Sequence, residues 1–69
     1  MELHIGQIVE LIVPEGDDRA DFAGLQCKVR DVVSSSLQDL VLLEPLQDRP
    51  DGVGRSPFFW LSENVRGVQ

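Results

Sequence analysis

Residues 57–68, Pro-Phe-Phe-Trp-Leu-Ser-Glu-Asn-Val-Arg-Gly-Val, hold the only Trp of the chain (Trp60) and two of its three Phe residues (Phe58, Phe59). Aromatic rings are the largest apolar groups a small core can bury, so a chain with so few must fold around them. The local grammar is a strand, one turn and a short strand, because Ser62, Glu63 and Asn64 interrupt two apolar pieces with turn-forming residues. Strand alternation sets Phe58 and Trp60 on one face and Phe59 and Leu61 on the other. One face must be core, so at least one ring of the triplet is expected near the surface. Ser62 is expected to cap the turn through the amides that follow it.

The chain has 69 residues, enough for one small domain. A core of that size stabilises by only about 3–5 kcal/mol. Cys27 is the only Cys and His4 the only His, so neither a disulfide nor a Cys/His zinc site is available. The fold must rest on packing, or gain stability from an oligomer or partner. Residues 1–6 lack the basic and apolar regions of a secretory signal, and the longest pure apolar run, residues 40–43, is far short of the ~20 residues that span a bilayer. The expectation is a cytoplasmic protein without membrane insertion. Six basic against twelve acidic residues give a net charge of −6, which favours solubility and disfavours nucleic-acid phosphates.

Residues 7–13 are β-branched and short, and predict a first strand with Val9, Leu11 and Val13 inward. Pro14 ends it. Residues 14–21 form the most acidic segment, with Glu15, Asp17, Asp18 and Asp21 against Arg19. Their spacing does not fit a calcium-binding EF-hand loop. Residues 22–33 predict the second strand with its approach, in which Leu25, Cys27, Val29 and Asp31 alternate with Gln26, Lys28, Arg30 and Val32. Serines 34–36 mark a hairpin turn. Residues 39–45 predict the third strand, with Val41 and Leu43 inward. Residues 46–56 form a long loop dense in turn signals, neutral because Arg49 and Arg55 offset Asp48 and Asp51. Its Gly-Val-Gly-Arg run lacks the Lys-Ser/Thr and the following helix of a phosphate loop.

Gly6, Val9 and Leu11, then Phe22-Ala23-Gly24-Leu25, then Val29, stand in the order of a KOW motif, the β-hairpin and loop of several ribosomal and transcription-elongation proteins. The segment 6–33 resembles that motif. The strand, turn and strand of residues 57–68 look like the end of an SH3-like barrel, the fold in which KOW hairpins sit. Together they imply an all-β, five-stranded SH3-like barrel with a 3₁₀ turn before the last strand, occupying residues 1–69. The sequence departs from the KOW pattern at Cys27, where a second Gly is usual, and in its acidic loop, where nucleic-acid-binding members are basic.

Catalysis is not expected. His4 lies in a loose N-terminal segment, no Ser sits in a Gly-x-Ser-x-Gly elbow, and no set of residues calls for a metal or a cofactor. The leading expectation is a non-catalytic binding module that docks on a larger protein with a basic surface, similar to small SH3-like subunits of membrane-peripheral complexes. Its contact residues are expected to be Glu15, Asp17, Asp18 and Asp21 of the acidic loop, Arg49 and Arg55 of the long loop, and Phe58 or Trp60 as an aromatic anchor. The alternatives are a nucleic-acid-binding KOW domain using Lys28, Arg30 and Arg66, an acidic DNA mimic that inhibits a DNA-processing protein, and a homo-oligomer paired through edge strands.

Overall fold

The computed structural model describes residues 3–68. In chain order the elements are β1 (Ile8–Leu11), a 3₁₀ turn η1 (Ala20–Phe22), β2 (Gln26–Ser34), β3 (Asp39–Pro45), β4 (Phe58–Leu61), a second 3₁₀ turn η2 (Ser62–Asn64) and β5 (Val65–Gly67). All five strands form one antiparallel sheet in the order β4-β3-β2-β1-β5. The all-β class and the 3₁₀ turn before the last strand agree with expectation. No ladder joins β4 to β5, so among the described residues the sheet is not closed into a barrel by hydrogen bonds.

The two edge strands are nevertheless consecutive in the chain, joined only by η2. Across a flat five-stranded sheet they would lie about 19 Å apart, whereas the three-residue link spans at most about 14 Å. The sheet must therefore curl. The Asn64 carbonyl fixes the curl by accepting two hydrogen bonds, from Trp60 Nε1 on β4 (3.1 Å) and from the Ile12 amide just past β1 (2.8 Å). That second bond continues the β1–β5 register one residue past β1, which itself runs only from Ile8 to Leu11 within the expected 7–13. The turn itself has no side-chain cap: Leu61, not Ser62, holds the N-cap position.

The concave face encloses the core: Val9 and Leu11 from β1, Cys27 and Val29 from β2, Val41 and Leu43 from β3, Trp60 from β4 and Val65 from β5, with Phe22 and Leu25 of the first loop added at one end. Val41 and Leu43 point inward as expected, and Val13 is only partly buried. Hydrogen bonds from Leu11 N to Leu25 O and from Gly24 N to Leu11 O carry the β1–β2 pairing into that loop (both 2.9 Å).

Plain alternation along β2 would carry Asp31 to the core after Cys27 and Val29. A bulge prevents it. Val29 pairs with Leu43 but Asp31 pairs with Leu42, so Arg30 is the extra residue and the faces exchange beyond it. Val32 comes opposite Val41 on the concave side, while Asp31 turns outward and its Oδ1 accepts the Val32 amide (2.9 Å). A buried, unpaired carboxylate would have cost several kcal/mol, far more than one irregular residue in a ladder.

Candidate functional site

The first loop approaches the core rings through η1. Residues 20–22 wind into a 3₁₀ turn, with hydrogen bonds from Phe22 N to Arg19 O and from Ala23 N to Ala20 O, and the turn drops Phe22 onto the concave face. Its ring centroid lies 5.7 Å from Phe58 and 5.5 Å from Trp60, and Phe58 and Trp60 are 5.8 Å apart, edge to face. Such geometry matches the ring quadrupoles and adds to the area buried. Trp60 is buried at 3 % exposure, Phe58 is half-buried, and Phe59 projects from the opposite face at 56 %.

Two guanidinium groups roof this cluster. Arg19 lies over Trp60, 4.4 Å from the ring centroid. Asp17 holds it there: its carboxylate accepts from Arg19 Nε and Nη2 (3.1 Å each) and from the Arg19 amide (2.8 Å). Those hydrogen bonds, first of all from the side chain, hold the Asp17 carboxyl below its ordinary value, and Arg19 is raised in turn. Arg49, from the long loop, lies 4.7 Å over Phe58 and 6.0 Å from Phe22. Its Nη2 donates to Asp51 (2.6 Å) and Nη1 to the Ser56 carbonyl (3.1 Å), and its side chain is only 14 % exposed. The buried Nε makes no hydrogen bond among the described residues and packs with the guanidinium plane against the rings. The Arg49 amide donates to the Gly54 carbonyl, so the residue ties its own loop into a knot above Phe58.

The structure thus brings Asp17, Arg49, Phe58 and Trp60 into one cluster. Glu15, Asp18 and Asp21 are exposed in the same loop and its turn, without an ion-pair partner among the described residues. Arg55 pairs instead with Asp48 of its own loop, at 3.6 Å and largely exposed. Two members were not among the expected contact residues, Arg19 and Phe22. Their signal was scarcity: the one cation among four carboxylates, and the one Phe outside the triplet.

Chemically this is a surface of fixed charge around rings. No three His, Cys, Asp or Glu side chains converge among the described residues, and no enclosed pocket is present there. Cys27 lies within the core, where burial pushes its thiol up to about 11. No described helix is long and apolar enough to cross a membrane. Compared with known proteins, the chain matches no family model, no curated protein and no solved structure.

Proposed function

We propose that the chain is a small SH3-like barrel with a KOW-like first hairpin, and that it works as a non-catalytic binding module docking on a basic surface of a larger protein. The barrel reading is supported by the strand order and by the 3₁₀ link between the edge strands. The docking reading rests on one observation above the others. The first loop presents Glu15, Asp18 and Asp21 to solvent, while Asp17 spends its charge on Arg19 and through it anchors the loop to Trp60. A loop held in this way offers its free carboxylates at low conformational cost, and these steer a basic partner and raise its association rate.

A nucleic-acid role is weakened by the state of the cations. Arg30 pairs with Glu44 and Arg66 with Glu10, which leaves Lys28 alone in the stripe that would face phosphates. The test is retention of a binding protein from host lysate by the wild-type chain and by an Asp18→Lys/Asp21→Lys variant that keeps its circular dichroism spectrum. One specific protein, held by the first and lost by the second, is the expected result. Nucleic acid recovered in its place, released by salt, would overturn the reading.

A further inference from the structure

The convex face of the sheet is divided. Over β5, β1 and the first half of β2 it is charged: Glu10 lies between Arg66 and Gln26, and Lys28 between Ile8 and Glu44. Beyond the bulge it is apolar apart from Asp31. The register sets Val33, Leu40 and Leu61 in one row, and Asp31, Leu42 and Phe59 in the next. An uncovered sheet face is ordinarily polar, and a contiguous apolar block on one marks an interaction site.

The block lies against β4, which is also an edge of the sheet. Among the described residues the β4 backbone hydrogen-bonds to β3 and to no other element. Edge strands are commonly guarded by Lys, by an internal Pro or by a bulge, and Phe58–Leu61 has none of these, whereas the opposite edge, β5, carries Arg66 and Gly67. The row of N–H and C=O groups along a free edge is matched by an extended chain, which sets the conformation of a protein occupant. Charge fixes its chemistry. Alternate side chains of an added strand face the concave rim, where Asp17 and Asp51 are paired to the Arg19 and Arg49 that cover the rings, and where the exposed Asp18 and Asp21 neighbour Arg19 and Phe22 in the chain. Of those carboxylates, Asp18 and Asp21 are unpaired among the described residues. A second copy of this chain would bring a net charge of −6 to the same rim and be repelled.

We propose that the free edge of β4 takes up, as a sixth strand, an extended segment of a partner protein in which apolar side chains alternate with Lys or Arg. The apolar side chains cover Phe59, Leu61 and Leu42, and the basic ones meet the first loop. The proposal rests on the docking reading for the basic character of the partner and adds the mode of attachment, main-chain pairing at an edge.

The probe is a short blocked peptide alternating Lys and Val, added to the isotope-labelled chain and followed by amide NMR. Shifts are expected at the amides of Phe59 and Leu61, with slowed hydrogen exchange there. Phe59→Ser, at an exposed position that the core does not use, is expected to weaken binding roughly tenfold. N-methylation of alternate peptide amides should abolish it. Binding confined to the first loop, and indifferent to Phe59→Ser and to N-methylation, would overturn the edge proposal while leaving the docking reading standing. Equal binding of the same peptide with Glu in place of Lys would overturn both. No binding, or a concentration-dependent dimer with β4-to-β4 contacts, would also overturn the edge proposal, the latter in favour of a second copy.

Discussion

Trp60 belongs to three structures at once. It fills the core beside Val41, it carries the Arg19 guanidinium on its face, and its Nε1 binds the Asn64 carbonyl that holds the curl. Removing the whole side chain forfeits all three, so Trp60→Ala is expected to cost about 3–5 kcal/mol, as much as a domain of this size has. The variant should be unfolded in urea titrations from the first point. Trp60→Phe keeps a ring and loses the donor, and should remain folded with a loss of about 1–2 kcal/mol. Cys27 poses the opposite case, a reactive group made inert by its place. Its thiol, raised by burial from 9.0 to about 11, is expected to resist a thiol reagent at pH 8 in the native chain and to react once urea unfolds it. Because the fold favours the neutral thiol, the associated stability is complete below pH 9 and is lost as pH rises through 11. The thermal midpoint of the wild-type chain should fall more steeply over that interval than that of Cys27→Ala.

Among the elements, η1 and its exit decide whether the site exists. Gly24 follows the turn with φ +84°, donates to the Leu11 carbonyl and has open space where a Cβ would stand. The cost of Gly24→Ala is therefore conformational alone, about 1–2 kcal/mol. It should appear in denaturant midpoints and in weaker NMR contacts between Phe22 and Trp60, whereas a D-Ala at the same place should be neutral. The strands themselves were legible in the sequence, since period-2 alternation reports the buried face wherever neighbouring residues set it: Val41 and Leu43 inward, Phe58 and Trp60 together, Ser62–Asn64 as a turn. What alternation does not report is an exchange of faces. The bulge at Arg30 depends on what β3 places opposite, so the sequence of β2 alone put Asp31 on the core side. The stacking of Arg19 on Trp60 was hidden for the same reason, because it joins positions 41 residues apart that only the curl of the sheet brings together. The acidic loop was recognised by its composition. Which of its carboxylates are already spent could be seen only from the folded chain.

For the whole molecule the balance of charge is the governing quantity. A net charge of −6 on 69 residues sets up self-repulsion across a small body, whereas the ion pairs of Arg30, Arg55 and Arg66 are solvent-exposed and contribute little. Screening should relieve more repulsion than attraction. The melting temperature is expected to rise by a few degrees as sodium chloride increases from about 10 to 200 mM, where the Debye length falls well below the size of the domain. A fall over that range would show that the surface pairs outweigh the acidic excess. The ladder between the first and last strands has a different consequence. Val9 pairs with Gly67 and Leu11 with Val65, so the beginning of β1 and the end of β5 lie side by side. Tension drawn through residues 3 and 68 meets these pairs in series, like the teeth of a zipper, and never loads them together in shear. The seam therefore gives way to traction one rung at a time, at low force. The long β2–β3 hairpin, off the line of pull, is left to open last.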